Sequence, residues 1–126
     1  MPRSKSPILT EAGLRLMDVL WLKGASTVQQ VLEYLPEKPP LAYNTILTTI
    51  RILEKKGYVR HSKDGRAHVY SAKVRREDAT RSEIQHLVSR FFSNSHELLV
   101  LNILESRDIE AEELNRLRQM LGKGEE

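Results

Sequence analysis

Asn44, Thr48, Arg51 and Lys55 recur at the spacing of one helical face, and all four side chains can hydrogen-bond or ion-pair with a polyanion. Asn, Thr and Arg reach base edges or phosphate oxygens, whereas Lys55, near the end of its segment, suits phosphate. Lys63 and Arg66 flank Asp64-Gly65 a few residues later and add two more cations. The chemistry these residues support is recognition. No Gly-rich phosphate loop, nucleophile elbow or catalytic pairing of carboxylate and histidine stands in the sequence, so it does not read as an enzyme. The chain has no cysteine, which excludes disulfides, thiolate zinc sites, iron–sulfur clusters and cysteine nucleophiles. His61 and His68 form a cross-strand pair in the expected hairpin, but two imidazoles without a third ligand make a poor metal site. Neither metal nor cofactor is expected, and the two rings read as wing side chains near phosphate or solvent. His86 and His96 are expected on polar faces of helices.

The elements that must position these groups follow from periodicity. Thr10-Glu11 opens a first helix whose apolar residues Leu14, Leu16, Met17, Val19, Leu20 and Trp21 cover a broad face, and Lys23-Gly24 ends it. Ser26 and Gln29 have capping-box spacing before a short second helix with Val28, Val31, Leu32 and Leu35. Pro36-Glu37-Lys38-Pro39-Pro40 forces a turn or stiff connector. A third helix is predicted from about Leu41 to Lys56, capped by Gly57. At about 100° per residue, Ala42, Ile46, Thr49, Ile50 and Leu53 form its core stripe, opposite Asn44, Thr48, Arg51 and Lys55.

After Gly57 the period becomes 2, and Asp64-Gly65 suits a two-residue turn that pairs Val59 with Tyr70, His61 with His68 and Lys63 with Arg66. The rest reads as helical, with stripes at Ile84, Leu87, Val88, Phe91 and Phe92, along Leu98 to Leu104, and at Leu114, Leu117, Met120 and Leu121. The run around Leu101 has almost no polar face for water, so a second copy of the chain is the expected cover.

The predicted class is mainly α with a small β-hairpin wing. A winged helix-turn-helix over 1–74 precedes an all-helical dimerisation region over 75–126. Charge follows the same division. Residues 1–76 hold 14 Lys/Arg against 6 Asp/Glu, and residues 77–126 hold 6 against 11, within a net charge of only +3. A basic first part suggests that it meets nucleic acid. The competing reading is a helical adaptor whose winged helix binds protein, and salt dependence of duplex binding separates the two. No segment has the apolar length of a signal peptide or a spanning helix, so a cytoplasmic location without membrane insertion is expected.

The stretch Leu41-Ala42-Tyr43-Asn44-Thr45-Ile46-Leu47-Thr48-Thr49-Ile50-Arg51-Ile52-Leu53-Glu54-Lys55-Lys56-Gly57-Tyr58-Val59, followed by Gly65-Arg66-Ala67-His68-Val69-Tyr70, resembles the recognition helix and wing of the penicillinase and methicillin-resistance repressors, the BlaI/MecI type. Leu16-Met17 and Leu20-Trp21 resemble that family's first helix, and Leu99-Val100-Leu101-Asn102 its dimerisation segment. Together the pieces span about residues 8 to 121. The resemblance implies a homodimeric transcriptional repressor that binds an inverted repeat in double-stranded DNA, in an antibiotic-resistance setting. The expected DNA-binding set is Tyr43, Asn44, Thr45, Thr48, Arg51, Lys55, Lys63 and Arg66, and the apolar stripes place Phe91, Leu98, Leu101, Leu104, Leu114, Leu117 and Leu121 at the expected subunit interface.

In several members a membrane-bound sensor protease for β-lactams triggers cleavage of the repressor, so that sensor or a protease downstream of it is an implied partner. Leu101-Asn102 matches the family segment in which an Asn-Phe bond is cleaved, with Ile103 standing in place of the Phe, so Asn102-Ile103 is the expected cleavage site. The other reading of Asn102, a polar helix position satisfied by a hydrogen bond, stands beside it. The family usually has Arg at Ile52 and Thr at Asn44, which alters the expected operator contacts. The cysteine-rich tail of copper-responsive relatives has no counterpart here.

Overall fold

Thr10 caps the first helix: its Oγ1 accepts the Gly13 amide at 3.0 Å, and helix α1 runs Glu11–Lys23. In the computed structural model, which describes residues 9–36, 39–106 and 108–124, α2 spans Val28–Tyr34 and α3 spans Tyr43–Lys56. Strands β1 (Val59–Asp64) and β2 (Ala67–Ala72) form one antiparallel hairpin, and α4 (Arg76–Phe91), α5 (His96–Glu105) and α6 (Ala111–Gly124) follow. This is the mainly helical, hairpin-bearing class that the periodicities predict. Glu37 and Lys38 of the proline-marked connector lie outside the described residues.

The chain divides into two compact units, one running to Ile84 and the other starting at Gln85. In the first, Leu16, Met17, Val31, Ile46, Ile50 and Val59 are all but removed from solvent, with Leu20, Leu53, Tyr58 and Tyr70 beside them in one cluster. Each helix of the trio contributes its apolar stripe, and the base of the hairpin closes the core with Val59 and Tyr70. Trp21 donates its indole N–H to the Val74 carbonyl at 2.8 Å, and the Arg76 guanidinium stacks over the same ring while pairing with Asp18 at 3.1 Å. Burial raises the Tyr58 phenol above its ordinary pKa, and the negative charge of Glu83 adds to the effect.

Several local expectations need correction. The capping box is made by Thr27 and Gln30, not Ser26 and Gln29: the Gln30 amide donates to Thr27 Oγ1 at 3.1 Å, and the Thr27 amide to Gln30 Oε1 at 2.9 Å. Ser26 is occupied by a longer-range bond, exchanging two backbone hydrogen bonds with Tyr70 at 2.9 and 2.8 Å that tie the approach to α2 onto β2. Helix α3 starts at Tyr43, two residues later than expected, because Leu41 packs against the core from the extended approach and Ala42 is the exposed N-cap. Leu41 and buried Ile46 thereby hold the two positions of a hydrophobic staple.

The hairpin is also displaced. Asp64 pairs with Ala67, Lys63 with His68 and His61 with Tyr70, so the two-residue turn is Gly65-Arg66 rather than Asp64-Gly65. Only Gly65 has positive φ there, at 65°, which suits a turn that needs glycine at its first central position and spares Asp64 a left-handed backbone. Relative to the expected pairing the register moves by two residues, so every side chain keeps its face.

The second unit is built differently. Ser95 caps α5 by accepting the Leu98 amide at 3.1 Å, after a turn in which Ser93 and Asn94 both adopt left-handed φ. Helix α5 has no buried residue, and Leu98, Leu101, Leu104, Leu117 and Leu121 are all exposed. Phe91 is exposed too, whereas Leu114 is half-buried. His86, expected on a polar face, is half-buried instead, and its Nε2 is shut off from solvent.

Candidate nucleic-acid interface

Helix α3 carries the two faces its sequence promises. Ile46, Ile50 and Leu53 are buried, and Asn44, Thr45, Thr48, Arg51 and Lys55 are exposed on the other side. Gly57, with φ 91°, ends the helix in the left-handed conformation and lets the Tyr58 amide return to the Leu53 carbonyl at 2.9 Å. That sharp turn leads the chain directly into β1, so the wing starts where the recognition helix stops. Lys55 and Lys56 lie in the last turn, where cations complement the helix dipole.

Between α3 and the wing lies an open groove of about 380 Å³. Tyr43, Leu47 and Arg51 line one wall, Arg66 and His68 the other, and Thr27 and Gln29 from the start of α2 close one end. Of the DNA-binding residues expected from the sequence, the groove therefore gathers Tyr43, Arg51 and Arg66. Asn44, Thr45, Thr48, Lys55 and Lys63 are exposed but do not line it. A groove with two guanidinium groups and an imidazole on a mostly apolar floor can hold a phosphodiester strand, while the exposed face of α3 presents amide and hydroxyl groups suited to base edges.

Sequence reasoning missed the contact that joins the two elements. Glu54 Oε2 lies 2.6 Å from His61 Nδ1, and the His61 and His68 rings stack with centroids 4.6 Å apart. Seven residues separate Glu54 from His61, across a helix cap that no single periodicity spans. Thr27 and Gln29 were missed as well, since only the tertiary fold brings α2 to this groove. Ile52 is an apolar side chain left exposed on α3, 47% accessible, beside the polar face. Among the described residues no group of three or more His, Asp or Glu side chains could hold a metal ion. No helix among them is long and apolar enough to cross a membrane.

Comparison with known proteins agrees with this geometry. Residues 9–123 match the sequence model of a family described as penicillinase repressor. The chain is similar to the penicillinase repressor of Bacillus licheniformis, with 31% identity over 117 residues covering 93% of this chain and 91% of that protein. It is similar to the methicillin resistance regulatory protein MecI of Staphylococcus aureus strain N315, with 25% identity over 120 residues covering 95% and 98% of the two chains. Among solved structures it resembles the Bacillus licheniformis repressor BlaI, whose monomeric form was solved in complex with the blaP half-operator. The TM-score is 0.50 at 30% identity, over 60% of this chain and 93% of that one.

Proposed function

The chain belongs to the penicillinase repressor family, a family of DNA-binding transcriptional repressors and not of enzymes, and from that premise we propose that it works as a homodimer occluding a promoter at an inverted-repeat operator. The observation that carries the reading is the exposed polar face of α3 set beside a basic groove and wing, on a chain whose α5 buries none of its apolar side chains. Each half-site holds one winged helix. A second copy covers the α5 and α6 faces, and joining two weak half-site contacts makes the second one intramolecular. The two recognition helices then enter successive major grooves about 34 Å apart on one side of the duplex. The related BlaI, solved as a monomer on a half-operator, supports this division of labour.

Relief by proteolysis is the second part of the proposal. Asn102 and Ile103 lie exposed in α5, where a cut would sever the DNA-binding unit from most of its dimer contacts. The bond is helical, with the Asn102 carbonyl accepting the Ser106 amide at 3.1 Å, so the segment must open locally before a protease holds it extended. A sensor protease, or one acting downstream of it, is the proposed partner. Mass spectrometry of the repressor from induced cells tests this: a fragment ending at Asn102 is expected, and derepression with the chain intact overturns it.

Salt titration of duplex binding tests the main reading. The logarithm of affinity should fall linearly with the logarithm of salt concentration, and Lys63→Ala with Arg66→Ala should reduce that slope by about 2 on any duplex. A salt-independent interaction would point to a protein partner instead, and an unaltered slope would turn the hairpin away from DNA.

A further inference from the structure

The recognition helix and the wing meet through titratable side chains that base and phosphate reading by α3 leaves unused. Strand β1 packs against α3 and β2. The groups facing His61 are accordingly Glu54 from α3, 2.6 Å away, and His68 and Tyr70 from β2, with ring centroids at 4.6 and 5.6 Å. Lys63 is the next residue on the same face of β1, and Arg51 lies one turn before Glu54 on α3. A glutamate carboxylate at neutral pH only accepts hydrogen bonds, so the short contact makes His61 Nδ1 the donor and leaves Nε2 as the nitrogen that gains or loses a proton.

That assignment has an electrostatic consequence. A neutral ring offers a phosphate an Nε2 lone pair, which cannot donate to it. Protonated, the same nitrogen becomes a cationic donor, and the charge also offsets Glu54, whose carboxylate would otherwise oppose the DNA backbone. The His68 ring stacks on His61 within 18° of parallel, so two imidazolium charges there would repel one another. His68, on which the His61 ring stacks, lines the groove with Arg51 and Arg66, so a charge on the stacked pair lies at the wall of the groove rather than within it.

We propose that Glu54, His61 and His68 form a proton-linked phosphate clamp: Glu54 positions the His61 ring and fixes the wing against the recognition helix, and the stacked pair binds one proton when DNA backbone enters the groove. The clamp rests on the DNA-binding reading above. Its ligand is the phosphodiester, so the effect is independent of base sequence. Affinity rises as pH falls.

The test uses the full chain and a fluorescent duplex of mixed sequence at constant low salt, followed by anisotropy from about pH 8 to about pH 6. Wild type should tighten several-fold, up to about tenfold per pH unit for one proton, and calorimetry in two buffers of different ionisation enthalpy should show uptake approaching one proton. His61→Gln should flatten the profile, and Glu54→Ala should weaken it by freeing the His61 ring from the position in which Glu54 holds it. Long-range proton–nitrogen correlation of the free wild-type chain above the histidine range should find His61 protonated on Nδ1, and this readout needs no variant. Binding with a flat wild-type profile, a profile unchanged in His61→Gln, or a proton on Nε2 of neutral His61 would each overturn the clamp and leave the repressor reading intact. Absence of any duplex binding would instead remove the repressor reading itself.

Discussion

Helices α1 to α3 and helices α5 and α6 use the same aliphatic residues to opposite ends. In the first group Leu16, Met17, Val31, Ile46 and Ile50 are each 0% exposed, and the hairpin completes the cluster with Val59 and Tyr70. In the second, Leu98, Val100, Leu101, Ile103 and Leu104 each leave more than two-fifths of their surface in water, and Leu121 leaves 72%. Burying such side chains is worth about 1.5 to 3 kcal/mol each, so a helix that forgoes it throughout lacks the term that normally holds a helix in place. A single chain completes the core that displays α3. It leaves the apolar faces of α5 and α6 for something else to cover, and a second copy is the cover proposed above.

The sharpest break in that contrast is Leu101→Asp. Placing a carboxylate in an apolar subunit contact should give a monomer in sedimentation, and loss of the intramolecular second contact should lower operator affinity by about 10² to 10⁴. The first unit should melt as before. A variant that remains dimeric would move the interface away from α5, and a wild-type chain that sediments as a monomer at micromolar concentration would remove it altogether.

The converse substitution is Ile50→Ala, at a site the first unit has closed from solvent. Removing three carbons there should cost about 2 to 4 kcal/mol of that unit's stability through lost transfer energy and a residual cavity. Subunit association should persist under conditions where the protein remains folded. Equal and small effects of Ile50→Ala and Leu101→Ala on unfolding midpoints would mean that the two regions do not differ in the way their exposures indicate.

The sequence carried most of the first unit because its signals are local and redundant. Thr10 starts a helix where its side-chain oxygen is needed, Gly24 and Gly57 end helices where positive φ is needed, and the two faces of α3 follow from periodicity alone. What it misplaced depends on partners distant in the chain. Ser26-Gln29 and Thr27-Gln30 have the same capping-box spacing, and only the pairing of Ser26 with Tyr70 decides between them. Asp64-Gly65 and Gly65-Arg66 both suit a tight turn, and the faces cannot discriminate because a two-residue slip preserves them. The Glu54–His61 contact forms only once the wing folds back on α3, so neither periodicity nor spacing announces it. In the second unit the stripes marked helices correctly, but a stripe does not say what covers it.

Within the interface the same contrast can be sharpened residue by residue. Arg51 lines the groove and also belongs to the exposed face of α3, so it can serve a base or a phosphate. Arg51→Ala should weaken operator binding by about 1 to 3 kcal/mol. If the loss is confined to the operator, Arg51 reads a base; if a mixed-sequence duplex loses as much, it serves the backbone. Unchanged affinity on both duplexes would leave the groove without a role in binding.

The smallest expected effect concerns pH at the alkaline end and again separates the two units. All four tyrosines, Tyr34, Tyr43, Tyr58 and Tyr70, precede Gln85, so tyrosine ionisation reports on the first unit alone. Burial and then the charge of Glu83 raise the Tyr58 pKa, meaning that the folded unit holds the phenol proton more tightly than the unfolded chain does. The resulting stabilisation is complete below the ordinary tyrosine range near pH 10 and is lost as pH rises through the higher folded value. Thermal unfolding of the first unit should therefore shift downward from about pH 9 to about pH 11, and Tyr58→Phe, which has no proton to lose, should shift less. A Phe variant that falls as steeply as wild type would place the alkaline limit in another group. Residues from Gln85 onward contain no tyrosine, so a probe confined to α5 and α6 should follow this transition only where loss of the first unit carries those helices with it.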